Sequence, residues 1–150
     1  MKKTIITVFI IYFIQGIIHN LGHPITVQYI EQLGMKGVMF GIFFALMSLG
    51  LALGGPFWGI LGDKKNKKVL ILIGLLIYSL GQFIFGNVHN VWIMSIMRFV
   101  SGFGVSASVT LLLSYLIEKS DTENRTRNIP LGAAMMALGA SSGYWLGGQI

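Results

Sequence analysis

Long stretches without charged residues constrain this chain more than any other feature. Five stretches are each long enough to cross a bilayer, which takes about 20 apolar residues. Four of them contain no Lys, Arg, Asp or Glu, and the fourth along the chain contains only Arg98. A polar break at 86–90 separates the third stretch from the fourth. We therefore predict an all-α polytopic membrane protein with spans at about 4–30, 37–62, 69–85, 91–117 and 130–150.

These spans are expected to form a single transmembrane domain over residues 1–150. The first apolar run is longer than the core of a signal peptide, which is about 7 to 15 residues, so we interpret it as a retained span. Pro130 is suited to the first turn of a helix, where its missing N–H is not needed. We therefore expect the fifth helix to begin near Pro130.

The amino-acid composition excludes several classes of protein. Only 11% of the residues are charged, whereas an average soluble domain carries roughly 25%. The chain has no cysteine, so it can form neither a disulfide nor a thiolate metal site. The spans contain no pairing of a nucleophile with a base, so we expect no enzymatic activity and no cofactor.

Basic residues divide unequally between the two sides of the membrane. With a cytoplasmic N-terminus, nine of the eleven Lys and Arg residues lie inside and Lys36 lies outside. This asymmetry predicts a cytoplasmic N-terminus and an external C-terminus. It also accounts for the net charge of +6, so nucleic acid is not expected as a partner. The nine inside residues are Lys2, Lys3, Lys64, Lys65, Lys67, Lys68, Lys119, Arg125 and Arg127.

One face of the first span carries three polar side chains, Gln15, His19 and His23, at positions i, i+4 and i+8. Polar groups inside a membrane rarely face lipid, so this face is expected to look into protein or a water-filled cavity. Pro24 has no backbone N–H, so the carbonyl of Asn20 loses the hydrogen bond that it would accept in a regular helix. This carbonyl is a further polar group on the first span. Hydrogen bonding between helices is the alternative interpretation. No third ligand lies at the depth of the two histidines, so we predict no metal site.

Arg98 lies seven positions into the fourth span, about 10 Å below the outer end of the helix. A guanidinium at this depth costs at least ~2.5 kcal/mol unless it reaches the interface or finds a partner. We therefore expect Arg98 to line the same cavity as Gln15 and the histidines, or to snorkel outward. Among the residues of these spans, His19 and His23 are the candidates for titration near neutral pH.

Small residues form a stripe along the second span with alternating steps of four and three. Such a stripe lets another backbone approach closely. Ordinary helix packing and a sliding contact between moving halves both remain open. The stripe consists of Gly41, Ala45, Ser48, Ala52, Gly55 and Gly59.

The connector after the second span places Asp63 in the last turn of a helix, close to four lysines. A carboxylate there faces the negative end of the helix dipole, which disfavours it by tenths of a kcal/mol. If the loop only held the helix ends at the cytoplasmic surface of the membrane, the lysines would be explained and the aspartate would not. We therefore expect Asp63 to be held by another contact.

This connector resembles the loop signature G-x-x-x-D-R/K-x-G-R/K-R/K of the major facilitator superfamily. The matching residues are Gly59, Asp63, Lys64, Lys67 and Lys68. Asn66 replaces the last glycine, and asparagine tolerates a left-handed backbone better than most residues, so the turn is expected to survive. The resemblance implies the N-terminal helical bundle of such a transporter, with these five residues as a conformational gating loop.

Three further runs resemble patterns of the same superfamily. The end of the first span resembles G-x-P-x4-Y-x4-G through Gly22, Pro24, Tyr29 and Gly34. The fourth span resembles R-x-x-x-G-x-G through Arg98, Gly102 and Gly104, which implies a part for Arg98 in proton coupling. His19 and His23 are expected to share in it because histidine titrates near neutral pH. The fifth resembles G-x-x-x-G-P-x-x-G-G through Gly139, Gly143, Gly147 and Gly148, with Tyr144 in place of proline. These glycines are expected to pack helices together.

The resemblance implies alternating access between two six-helix bundles in a cell membrane, expected to be a bacterial cytoplasmic membrane. The chain is then a fragment or truncated product that lacks its C-terminal half. Its expected partners are lipid, a small-molecule substrate and protons. Efflux of small amphipathic compounds is the leading interpretation. A facilitator or symporter for a sugar or another metabolite, and a scaffold without transport activity, are the alternatives.

Overall fold

A computed structural model describes residues 3–149 as five helices joined by short turns, which confirms the predicted all-α fold for that part of the chain. Lys2 and Ile150, which the predicted topology and the fifth span include, lie outside the described residues. The helices are α1 (Lys3–Gln32), α2 (Val38–Lys64), α3 (Lys67–Asn87), α4 (Val91–Lys119) and α5 (Thr122–Gly147).

Four of the described helices, α1 to α4, are long and apolar enough to cross a membrane. The fifth helix differs, because its first two turns are polar and the remainder is rich in Gly, Ala and Ser. The structure corrects its expected start near Pro130, since α5 already begins at Thr122 and contains Pro130 in its interior. Asp121 has extended backbone angles, and its carbonyl accepts from the N–H groups of Asn124 and Arg125 at 2.9 and 3.1 Å, which starts the helix earlier.

The turns after α1 and before α4 each use a residue suited to them. Gly34 follows α1 with φ of 65°, the one positive φ in residues 3–149, where a residue with a Cβ would be strained. Asn90 precedes α4, and its side-chain oxygen accepts from the backbone N–H groups of Trp92 and Ile93 at 3.0 and 3.3 Å. These hydrogen bonds satisfy backbone N–H groups that the first turn of a helix leaves unpaired.

Contacts divide the described chain into two compact units, one formed by residues 3–32 and 112–149 and the other by 33–111. In the first unit, α5 lies directly on the backbone of α1. Glycines 139, 143 and 147 of α5 each face a backbone carbonyl of α1, those of residues 13, 17 and 21 respectively. A Cβ on any of the three would overlap a carbonyl oxygen, so the spacing of four residues permits this close contact.

In the second unit, α4 packs closely against both α2 and α3. Gly50 of α2 lies on the carbonyl of Phe99, and Gly102 of α4 lies on the carbonyl of Met47. Gly104 of α4 faces α3 at the carbonyl of Gly74. The two glycines of the R-x-x-x-G-x-G run therefore pack against different helices, Gly102 against α2 and Gly104 against α3.

Most of the small-residue stripe of α2 lies away from α4, and only Gly55 and Gly59 come near it, with Cβ positions 3.6 and 3.7 Å from Thr110. Gly41, Ala45, Ser48 and Ala52 are exposed in the described chain. A Cβ at Gly41 would meet no atom within 4 Å, whereas one at Gly50 would overlap the Phe99 carbonyl. Gly50, which makes the close backbone contact with α4, thus lies on the face of α2 opposite to Gly41.

Gly50→Ala is expected to destabilise the protein, whereas Gly41→Ala on the same helix should leave its stability unchanged. The added methyl group at residue 50 pushes α2 away from α4, and overpacking of this kind costs about 1–3 kcal/mol. Thermal melting of the purified complete protein in detergent measures the difference. Equal melting temperatures for the two variants would contradict the packing of α2 on α4.

Candidate functional site

The polar face of α1 is partly enclosed by the first unit. The side chains of Gln15 and His23 are buried and that of His19 is half-buried. Asn20 donates from Nδ2 to the carbonyl of Gly16 at 2.9 Å, so its amide is engaged within its own helix. The predicted cavity residues of α1 therefore lie beside the helix face that packs on α5.

His23 stacks on Tyr144 of α5, the residue that replaces proline in the antiporter-like run. The two ring centroids are 5.7 Å apart and the rings are inclined by 19°. His19 meets the edge of His23, with centroids 5.8 Å apart. His23 thus contacts both His19 and Tyr144. The sequence had indicated Tyr144 only as a departure from the family pattern.

Arg98 is enclosed in the second unit, with 4% of its surface exposed. Its Nη1 atom donates to Gln82 Oε1 at 3.2 Å and lies 3.8 Å from Met47 Sδ. The guanidinium carbon lies 3.9 Å from the centroid of the Phe85 ring. Gln82 in turn donates from Nε2 to Tyr78 Oη at 3.1 Å. We call these five side chains the Arg98 cluster.

Contacts within the Arg98 cluster are strong enough to hold the charge without a carboxylate. An arginine inside a span costs about 2.5–3.5 kcal/mol on insertion scales. A hydrogen bond to a charged group contributes about 1.5–3 kcal/mol, and a desolvated cation–π contact contributes about 2 kcal/mol. Gln82 and Phe85 together therefore offset the insertion cost. With 4% exposure, the side chain of Arg98 is enclosed by the protein and does not extend to its surface, as a snorkelling arginine would.

The predicted cavity residues fall into different units. Gln15, His19, Asn20 and His23 belong to the first unit and Arg98 to the second. A cavity that they share stays a prediction. Sequence reasoning missed Tyr78, Gln82 and Phe85. Gln82 was the available signal, since it is the one amide side chain in the apolar stretch 69–85.

The charged connector lies at the exposed end of the α2–α3 hairpin. Asp63 and Lys64 form the end of α2 and are exposed, and Lys67 begins α3. Asn66 does not adopt the expected left-handed backbone, because its φ is −67°. Instead it caps α3, with its side-chain oxygen accepting from the N–H of Lys68 at 3.0 Å. The turn survives the loss of glycine by capping the next helix.

The other residues of the predicted gating loop and packing set have varied surroundings. A Cβ at Gly59 would lie 3.7 Å from Thr110 Cγ2, so this position leaves ordinary van der Waals space. Lys68 is exposed in the first turn of α3. Gly148 caps the end of α5, with its N–H bonded to the Tyr144 carbonyl at 3.0 Å. Within residues 3–149 no group of His, Asp and Glu could hold a metal ion.

A cysteine at residue 65 is expected to stay unlabelled by a membrane-impermeant maleimide in intact cells, whereas one at residue 36 should be labelled. The distribution of basic residues predicts that Lys65 is cytoplasmic and Lys36 external, and both side chains are exposed. Lys65 is preferred to Asn66, whose side chain caps α3. The chain has no cysteine of its own. Labelling of the Lys65→Cys variant before permeabilisation would reverse the predicted orientation.

Apolar helices, glycine-mediated helix contacts and a buried arginine define a polytopic helical membrane protein. The sequence matches the profile of the Major Facilitator Superfamily over residues 6–150. The chain therefore belongs to this superfamily of membrane transporters, and its helices have the architecture of the N-terminal bundle. This membership confirms the resemblance found in the sequence and separates the chain from enzymes.

Two relatives are named for drug resistance. The quinolone resistance protein NorA of Staphylococcus aureus strain MRSA252 is 27% identical over 144 residues, which cover 94% of this chain and 37% of NorA. The multidrug resistance protein MdtG of Escherichia coli strain 536 is 31% identical over 106 residues, which cover 67% of this chain and 26% of MdtG. The chain thus spans well under half the length of either relative.

Proposed function

We propose that this chain is the N-terminal part of a secondary transporter that exports small amphipathic compounds in exchange for protons by alternating access. The transporter lies in a cell membrane with the N-terminus in the cytoplasm. The missing C-terminal half supplies the second bundle and completes the substrate site. Gln15, His19, Asn20, His23 and Arg98 line the cavity in this proposal.

One observation carries the proposal: Arg98 is a buried charge inside an apolar helix, and its partners in the Arg98 cluster are neutral. Ionisable residues within membrane spans are costly and mark ion and substrate pathways. The drug-resistance names of NorA and MdtG favour efflux as the direction of transport.

Two other functions make different predictions. A facilitator or symporter for a sugar or another small metabolite would move its substrate without exchange against protons. A membrane scaffold would bind other helices through its glycines and give no flux. Tyr144, in place of the proline of the antiporter run, favours the first of these alternatives.

Proteoliposomes that contain the complete protein test the proposal. Ethidium, an amphipathic cation, and norfloxacin, a quinolone, serve as probes, and an acid lumen provides the driving force. We expect accumulation of at least one probe against its gradient, with a matching rise in lumenal pH. Accumulation that persists after the pH gradient is collapsed would contradict exchange with protons, and the absence of any flux would favour the scaffold.

A further inference from the structure

Tyr144 is held close to α1 by the glycines on either side of it. Gly143 and Gly147 each lie on a backbone carbonyl of α1, so the two helices are in backbone contact just before residue 144 and one turn after it. The side chain of Tyr144 leaves α5 beside this contact. The close approach of the two helices therefore brings its ring to His23 of α1.

The stack of Tyr144 on His23 has a defined geometry. The ring centroids are 5.7 Å apart and the rings are inclined by 19°, which is within the range of offset stacking. His23 is 8% exposed, and its ring also meets that of His19 at 5.8 Å and 86°. The buried histidine thus supports the tyrosine ring from one side and holds it in one orientation.

The other side of the pair is open in the described chain. Tyr144 keeps 47% of its surface exposed, although it rests on His23. Ser141, three residues earlier and on the same face of α5, is also exposed. Helix α5 is the least apolar of the five described helices. A face that combines a serine with a phenol stacked on a histidine is better suited to a polar cavity than to hydrocarbon.

A supported aromatic ring in such a cavity recognises a particular kind of ligand. The face of a phenol ring carries partial negative charge, so it attracts a cation, and it also stacks on another flat ring. A flat aromatic cation satisfies both preferences at once. The proline of the family pattern would offer no aromatic face at residue 144, so this recognition depends on the residue that departs from the pattern.

We infer that Tyr144, supported by His23, is a specificity-determining residue on which the flat ring system of an aromatic cation stacks. The inference rests on the proposed function and deepens it, because it names a class of substrate and adds a residue of α5 to the cavity. It concerns which substrate binds and not whether the substrate is exchanged against protons.

Isothermal titration calorimetry on the purified complete protein in detergent tests the inference with two cations. Ethidium has a flat aromatic ring system, whereas tetrapentylammonium carries the same charge on flexible alkyl chains. Tyr144→Leu should raise the dissociation constant of ethidium about tenfold and leave that of tetrapentylammonium within about twofold of wild type. Tyr144→Phe keeps the ring, so both constants should stay within about twofold of wild type.

Trp145→Leu is the matched control, because it removes an exposed aromatic ring from the next position of α5. It should alter neither dissociation constant. If Tyr144→Leu does not fold, Tyr144→Met, which has an unbranched side chain without a ring, takes its place with the same expected result.

An ethidium constant for Tyr144→Leu within about twofold of wild type overturns the inference, and the ring then faces lipid or the missing half. An equal loss of affinity for both cations overturns it too, as does an equal loss in Trp145→Leu. Failure of the wild-type protein to move either cation in proteoliposomes overturns the proposed function. Flux by the wild-type protein together with unchanged ethidium affinity in Tyr144→Leu overturns the inference alone.

Discussion

Arg98→Ala is expected to lower uphill transport about a hundredfold, which corresponds to roughly 2.7 kcal/mol. The substitution removes the charge and leaves Gln82 Oε1 and the face of Phe85 without the group that they position. Arg98→Lys should recover part of the activity, because lysine keeps the charge but cannot lie flat on the ring or offer a planar fork. Initial rates of accumulation in proteoliposomes, normalised to the amount of protein, measure the effect.

Loss of folding must be separated from loss of transport in this test. Arg98→Ala leaves a cavity and an unpaired Gln82 Oε1, so its melting temperature should fall. Transport is therefore compared among variants that remain folded at the assay temperature. Undiminished uphill transport by Arg98→Ala would contradict the role of the Arg98 cluster. In that case Arg98 would have only a packing role and would no longer be assigned to the predicted cavity.

Asp63→Asn is expected to lower transport about tenfold while the protein melts at the same or a slightly higher temperature. The carboxylate is exposed and lies in the last turn of α2, where the helix dipole disfavours it by tenths of a kcal/mol. We expect its benefit to come from a contact made in one conformation of the transport cycle. Transport assays and thermal melting of the same preparation measure the two effects.

Glu123→Gln is the matched control for Asp63→Asn, because it removes an exposed carboxylate from the first turn of α5, where the dipole favours it. The control variant should have a slightly lower melting temperature than wild type and an unchanged transport rate. Gly59→Leu should behave like Asp63→Asn, because a bulky residue blocks close approach to the end of α2. Normal transport by Asp63→Asn at equal expression would refute the gating function of the loop.

The sequence predicted the helices well because charge is so sparse in this chain. Uncharged runs located all five, although α1 to α4 each continue two residues beyond the end of the predicted span, to Gln32, Lys64, Asn87 and Lys119. A helix does not need to stop where the apolar run stops. The same reasoning explains why Pro130 did not mark the start of α5, since polar residues after Asp121 also continue as helix.

Contacts between helices were beyond the sequence, because they depend on the rotation and depth of each helix. The contact between Gly74 and Gly104 sets how α3 meets α4, and only then does Gln82 face Arg98. The spacing of small residues on α2 also did not show which face of the helix packs on α4. It identified the exposed stripe, while Gly50, on the opposite face, makes the contact with α4.

Trp58 gives the contact between α2 and α4 an optical signature. Its indole N–H donates to the carbonyl of Phe103 at 2.8 Å, among the buried side chains of Leu70 and Leu111. The other two tryptophans of the chain, Trp92 and Trp145, are 81% and 67% exposed. With both replaced by phenylalanine, Trp58 is the only indole fluorophore left in the chain. Separation of α2 from α4 would break its hydrogen bond and change its emission wavelength, so the side chain that joins the two helices also reports when they part.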